Sequence, residues 1–226
     1  MFSRKLFTKK KYPNPSKNNN SQEFEVDNWI ISEFVINNLV PFVGVHPFPL
    51  TEQMLMAATV CKFQPELIFE WGTNIGKSAR IFYETTQAFN IKTEIHSIDL
   101  PDNIFHNEHP KNDRGILVRK FKAVKLHQAD GISKSLEIIS QKKPKGKILF
   151  FVDGDHSYES VKKELETILL NVENVIVLLH DTFFQSKDAN YNIGPYNAIE
   201  DVLKVSQKKY KKISTNFGLP GMTLIY

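Results

Sequence analysis

The apolar positions of this chain fall into two textures. From Glu23 onward, Phe24, Trp29, Ile30, Phe34, Val35 and Leu39 recur at roughly helical spacing, PFVGVHPFPL interrupts the pattern, and a second helix is expected to begin near Thr51. Beyond this pair the pattern changes to short apolar runs, LIFEWG, IHSIDL, AVKLHQAD, KILFFVDGD and NVIVLLHD, with helices fitting between most of them. Continuous runs of this kind suit strands buried on both faces of a parallel sheet and joined by right-handed helical crossovers. YKKISTN and GMTLIY read as two closing strands joined by a glycine turn, preceded by a helix between Pro195 and Lys208. The expected fold class is α/β, a doubly wound, mostly parallel seven-stranded sheet with an antiparallel C-terminal strand and two leading helices.

Composition refines this in three respects. With 226 residues, 41% hydrophobic and 24% charged, the chain suffices for one sizeable core and a small appendage. A single cysteine, Cys61, excludes an intramolecular disulfide framework and suits a reducing compartment, so the expected location is cytoplasmic. The net charge of +4 is mild and sits largely in RKLFTKKK and in KKYKK at 208–212, so no nucleic-acid partner is expected. The opening MFSRKLFTKKKYPNPSKNNNSQ lacks an apolar core of signal-peptide length and reads as a mobile basic tail, residues 1–22. Residues 23–64 then form N-terminal helices covering the site, and residues 65–226 form the cofactor-binding domain. No stretch is long enough to cross a bilayer, leaving surface attachment through the tail as the only membrane association.

Ligands of doubly wound sheets bind beyond the carboxyl ends of the strands, and here those ends are acidic. Glu70 closes the first run, Asp99 the second, Asp130 the third, Asp153 and Asp155 the fourth, and His180 with Asp181 the fifth. After the first run, EWGTNIGKSA places Gly72 and Gly76 where a strand turns into a helix and exposes backbone N–H groups. A dinucleotide requires G-x-G-x-x-G at this turn, whereas the glycines stand as G-T-N-I-G behind an acid that would repel phosphates. A sulfonium cofactor with an α-amino group is cationic and phosphate-free, which points to S-adenosylmethionine.

On these residues, and above all on FFVDGDHSYESVKKEL at 150–165 followed by VIVLLHDT at 175–182, the chain resembles a class I S-adenosylmethionine-dependent methyltransferase. More narrowly, it resembles the metal-dependent O-methyltransferases of the cephalosporin-hydroxylase-like and macrolide-sugar methyltransferase group, from about Leu50 to Tyr226. The resemblance implies a Rossmann-like domain with an antiparallel final hairpin. It implies that Glu70, Gly72, Thr73, Gly76 and Ser78 flank the methionine part of the cofactor, that Asp99 takes the ribose hydroxyls, and that Gln128, Ala129, Asp130 and Gly131 lie beside adenine. A helix N-cap is the alternative reading of Asp130.

Methyl transfer to an alcohol needs in-line approach and a deprotonating oxygen. The resemblance implies Asp153 and Asp181 as ligands of a divalent cation, Mg²⁺ or Mn²⁺, with Asp153 also beside the cofactor. His156 follows Asp153 by three residues, and imidazole, with an ordinary pKa of about 6.5, is the natural general base; the alternative is a helix-start residue that caps or packs. The chain departs from the pattern at His180, where metal-bearing relatives tend to carry a second acid. Imidazole binds Mn²⁺, Fe²⁺ or Zn²⁺ but is a poor Mg²⁺ ligand, so His180 as a third ligand would shift metal preference.

Other features read as structural. His106 and His109 lie in a polar loop without a third ligand, and Tyr158, Val161, Leu165, Ile168 and Leu169 form a core-facing stripe whose helix turns its lysines and glutamates to water. The acceptor site is expected from VHPFPLT at 45–51, the loop after Asp99 and FQSKDANYNIGPY at 184–196, which suits a small-molecule or sugar-like acceptor and would serve a phenol as well. Homo-oligomerisation is left open. Two other readings stand beside the enzyme: a S-adenosylmethionine-binding protein of the same group without methyl transfer, and a membrane-associated interaction protein with a vestigial site.

Overall fold

The computed structural model describes residues 10–104, 110–184, 191–215 and 217–226. His106 and His109 lie outside the described residues. Strands β1 (Leu67–Trp71), β2 (Glu94–Asp99), β3 (Val124–Gln128), β4 (Ile148–Val152), β5 (Val175–His180), β6 (Lys212–Ser214) and β7 (Met222–Ile225) form one sheet in the order β3-β2-β1-β4-β5-β7-β6. β1 to β5 pair in parallel, and β7 runs antiparallel to both β5 and β6. The doubly wound sheet with its antiparallel closing hairpin is as the apolar pattern predicts.

Because successive strand residues point to opposite faces, each central strand divides its side chains between two cores. Ile68, Leu149, Phe151, Ile176 and Leu178 face a core shared with Ile31, Met56, Val60, Ile81 and Phe82 of the helices α1 (Asn28–Phe34), α3 (Leu50–Phe63) and α4 (Lys77–Ala88). Phe69, Trp71, Phe150, Val152 and Val177 face the other, shared with Ile138, Val161, Leu165 and Ile199 of α5 (Gly131–Lys142), α6 (Tyr158–Asn171) and α7 (Gly194–Val205). The stripe on α6 is a core face as its spacing predicts, with Val161, Leu165, Ile168 and Leu169 buried. β3 departs from the expected two-sided burial. It is an edge strand, with Lys125 and Leu126 exposed, and a charge there guards the open edge.

The leading helical segment is interrupted. α1 is capped by Asp27, whose side chain accepts from Trp29 N and Ile30 N; it continues through a π-helical stretch, Val35–Leu39, into the short α2 (Val40–Val43). Among the described residues no helix is long and apolar enough to cross a membrane.

Two expectations need correction. From residue 10 the segment expected to be a mobile tail packs on the domain. Tyr12 is 7% exposed, its N–H donates to Ala88 O at 3.0 Å and its hydroxyl to Asn38 Oδ1 at 2.8 Å. Asn19 Nδ2 donates to Cys61 O and Lys62 O, satisfying carbonyls at the end of α3 that have no helical partner. On α6, Glu164 does not turn to water: its Oε2 is buried without a partner, and burial followed by the charges of Asp155 and Asp130 pushes its carboxyl up to about 8.

Candidate active site

The site grows from the ends of β1, β2, β4 and β5. Glu70 sits in β1 between its register partners Ser97 on β2 and Phe151 on β4, and is fully buried. Ser78 Oγ, in the first turn of α4, donates to Glu70 Oε1 at 2.6 Å, while Oε2 has no partner. Burial raises the carboxyl to about 7 against the hydrogen bond from Ser78 and the nearby Ser97 hydroxyl, with the charges of Asp153 and Asp99 adding to the rise. Glu70 is therefore a buried carboxyl with one oxygen unpartnered.

The glycine turn has two geometric reasons. Gly72 has φ +91°, and a Cβ there would stand 2.4 Å from the Asp153 carbonyl oxygen, so only glycine lets β1 leave the sheet this close to β4. Gly76 has φ +90° and is the N-cap of α4; its Cβ would meet Val118 Cγ2 at 2.9 Å. The 115–118 segment closes over this turn through Gly115 N to Asn74 O at 2.8 Å and Leu117 N to Ile75 O at 3.1 Å.

Asp99 ends β2 with Oδ1 accepting from Leu100 N at 2.9 Å and Oδ2 accepting from Arg114 Nε at 3.0 Å. The remaining cofactor candidates divide. Thr73 is buried with Oγ1 2.7 Å from Ser97 Oγ, so its hydroxyl turns back to β2. Asp130 is exposed and caps α5, accepting from Ser133 N at 2.8 Å and Ser133 Oγ at 2.7 Å, which is the N-cap alternative. Gly131 is explained by packing, since a Cβ would stand 2.8 Å from the Trp71 ring. Asp155 likewise serves the start of α6, accepting from Ser157 N at 2.9 Å.

The ends of β4 and β5 bring Asp153, His156, His180 and Asp181 together. His156 Nδ1 lies 3.0 Å from Asp181 Oδ2, and His180 Nδ1 lies 2.9 Å from Asp153 Oδ1 and 3.8 Å from Asp181 Oδ2. Asp181 adopts a left-handed backbone, φ 56°, which turns its carboxylate back toward both histidines. Donor atoms of Asp153, His180 and Asp181 lie within 4.8 Å of one another, a spacing that a single cation can bridge.

Two members of this cluster are not among the residues singled out from the sequence. Glu52, in the first turn of α3 and 2% exposed, reaches His180 Nε2 at 3.0 Å with Oε2 and accepts from Gly221 N at 2.9 Å with Oε1. The available signal was an acid inside TEQMLMAATVCKF, a helix buried along most of its length. Tyr191 donates its hydroxyl to Asp181 Oδ1; burial first and then this bond raise the phenol above its ordinary range. His180 itself is pushed up to about 10: burial opposes its charge, but the charge and hydrogen bond of Asp153, the bond to Glu52 and the charge of Asp181 outweigh it.

Solved structures share this architecture. CalS11, a TDP-rhamnose 3′-O-methyltransferase of calicheamicin biosynthesis, matches with a TM-score of 0.54 at 17% identity over 85% of this chain and 85% of that one. The SAH-bound methyltransferase PaMTH1 of Podospora anserina matches with a TM-score of 0.54 at 18% identity over 88% and 86%. An O-methyltransferase from Bacillus cereus, solved in complex with SAH, gives 0.52 at 14% identity over 86% and 89%. At these identities the likeness is one of fold. No curated protein matches the chain in sequence. The profile of rhamnosyl O-methyltransferase/CmcI matches residues 35–218, most of the chain, including every strand-end residue described above. The chain belongs to the rhamnosyl O-methyltransferase/CmcI family of S-adenosylmethionine-dependent O-methyltransferases.

Proposed function

We propose that the protein methylates a hydroxyl of a small-molecule or sugar-like acceptor, using S-adenosylmethionine and a divalent cation. The observation that carries this reading is the convergence, at adjacent strand ends, of a buried acid with an unpartnered oxygen, Glu70, and a His156–Asp181 pair beside Asp153. The residues fit both groups. The free Oε2 of Glu70 suits a cationic amine, the side-chain-free Gly72 leaves the backbone open to the ligand, and the carboxylate of Asp99 suits a diol. Asp153, His180 and Asp181 provide a three-atom donor set for the cation.

When bound, S-adenosylmethionine supplies an electrophilic methyl group on sulfur. The cation, held by Asp153, His180 and Asp181, would lower the pKa of an acceptor hydroxyl. His156 is directed by Asp181, which takes up Nδ1 and leaves Nε2 to receive the hydroxyl proton; in the transfer the oxygen–methyl bond would form as the methyl–sulfur bond breaks and SAH leaves as the neutral thioether. The family description and the sugar substrate of CalS11 support a sugar-like acceptor. So does the composition of the segments read as the acceptor site, where Val45, Leu50, Phe184 and Tyr191 are exposed.

Calorimetry should show binding of S-adenosylmethionine and SAH and no response to NAD, and mass spectrometry should find a methylated product from a panel of glycosides and polyols. His156→Ala should lower kcat by roughly 10²–10⁴ while leaving SAH affinity intact, with partial recovery at higher pH. NAD binding without a response to either S-adenosyl compound would overturn the reading.

A further inference from the structure

Glu52 has no place in the methyl transfer just described, yet it is among the most buried acids in the chain and is fixed at both oxygens. It lies on α3, more than a hundred residues from its partner, and its two contacts tie α3 to the end of β5 and to the backbone just before β7. Gly221 N–H holds Oε1, so Oε2 is presented to His180 in one orientation. The Phe48 ring meets the imidazole edge-on, with centroids 4.9 Å apart, and restricts its rotation. The imidazole is therefore held by a carboxylate on its Nε2 side and an aromatic wall, with Nδ1 directed at Asp153 and Asp181.

A neutral imidazole carries one N–H and one lone pair, and the partner of one nitrogen decides the role of the other. Here both nitrogens face carboxylates, Nδ1 at 2.9 Å from Asp153 and Nε2 at 3.0 Å from Glu52, so a cation taken up by the two aspartates would displace the Nδ1 proton, and Glu52, keeping the remaining proton on Nε2, selects the tautomer whose Nδ1 lone pair meets that cation. Metal-bound histidines are oriented in this way by an outer carboxylate.

We propose that Glu52 is a positioning residue that fixes His180 as an Nδ1 ligand, and that the resulting two-carboxylate, one-imidazole centre selects Mn²⁺, Fe²⁺, Co²⁺ or Zn²⁺ over Mg²⁺ and Ca²⁺. The selection follows from ligand chemistry: the hard, strongly hydrated Mg²⁺ and Ca²⁺ favour oxygen donors, whereas later first-row ions gain from a nitrogen donor. The proposal rests on reading the strand-end cluster as a cation site. It also gives a reason for an acid in the interior of the α3 face, where an apolar residue would otherwise be favoured.

The test uses the full-length protein and the ions alone, with no methyl acceptor. Titration of wild type should give at least tenfold tighter binding of Mn²⁺ and Co²⁺ than of Mg²⁺. Pulsed electron paramagnetic resonance of the Mn²⁺ form should show coupling to an imidazole ¹⁴N that disappears in His180→Glu, and that variant should gain affinity for Mg²⁺. Glu52→Gln should keep its SAH affinity, as a check on folding, while losing roughly tenfold to a hundredfold in Mn²⁺ affinity, the usual cost of removing an outer partner, and changing the ¹⁴N coupling. A wild type that prefers Mg²⁺, an Mn²⁺ spectrum without nitrogen coupling, or a folded Glu52→Gln with wild-type affinity and spectrum would each overturn the proposal. These readouts stand apart from catalysis: metal binding as described without methyl transfer would overturn the proposed activity and leave the role of Glu52 standing.

Discussion

Buried at the end of β1, with one oxygen held by Ser78 and the other unpartnered, Glu70 titrates near 7 and so carries a pH signature that a surface acid would lack. A bound ammonium favours the ionised carboxylate, so below this pKa binding must displace a proton. SAH affinity should accordingly fall by up to about tenfold per unit as the pH drops below 7, and level off above it. Glu70→Gln should bind more weakly and lose this slope; calorimetry across roughly pH 5.5 to 8.5 measures both, and an unchanged slope in the variant would move the titrating group elsewhere. The same shift acts on folding with the opposite sense. Because the folded pKa is raised, the contribution of Glu70 to the stability of the ligand-free protein is fully present below the ordinary carboxylate range and is lost as the pH rises through about 7. At this scale the sequence was informative about position: Glu70, Asp99, Asp153 and Asp181 lie at the strand ends where the apolar runs put them, and His156 lies beside Asp181. It was uninformative where a residue acts through space alone: Glu52 stands in a helix whose own pattern explains its burial but not its partner, which lies across the sheet.

Elements were legible wherever one physical cause dominates. LIFEW and ILFFV are wholly buried and could be little else than central strands, and the α6 stripe follows from its spacing. β3 was misread as buried on both faces because an apolar run does not reveal whether its strand lies at an edge, and the π-helical turn within the leading segment has no signature in the spacing of apolar residues. The glycine turn between β1 and α4 separates two demands that the sequence presents as one motif. At Gly72 a Cβ would strike the Asp153 backbone at 2.4 Å, and neither strand can yield without displacing its neighbours in the sheet. At Gly76 the nearest obstacle is the side chain of Val118, which can rotate or shift. Gly76→Ala should therefore cost about 1–2 kcal/mol, mainly from its left-handed backbone, whereas Gly72→Ala should cost about 3 kcal/mol or more and weaken SAH binding by displacing Asp153. Chemical denaturation of the two variants tests this, and equal losses would show that the close approach to Asp153 is relieved without cost.

Over the whole molecule, the N-terminal strap shows why the domain outline was only partly legible. KYPNPSKNNNSQ is basic, polar and broken by prolines, a composition that by itself predicts disorder, and only Tyr12 offers a side chain large enough to anchor it. In the structure that anchor is used: the Tyr12 ring packs edge-on against Phe34 of α1 at 5.7 Å and beside Phe89 at the end of α4 at 5.5 Å, while its hydroxyl donates to Asn38. The strap then runs to Asn19 at the end of α3 and returns through the Ser16–Val26 bridge to the cap of α1. It thus joins the three helices that pack on one face of the sheet, including α3, which carries Glu52 into the site. Tyr12→Ala removes this buried aromatic ring and should cost about 3 kcal/mol, which for a chain of this size lowers Tm by roughly 6–12 °C. Tyr12→Phe removes only the bond to Asn38 and should cost about 1 kcal/mol. Because the strap holds α3 against the domain, Tyr12→Ala should also weaken metal binding at the strand-end cluster more than it weakens SAH binding at β1 and β2. Thermal unfolding of both variants gives the first comparison and titration the second; a Tyr12→Ala protein that melts within about 1 °C of wild type would show that residues 10–22 are the mobile tail their composition suggests.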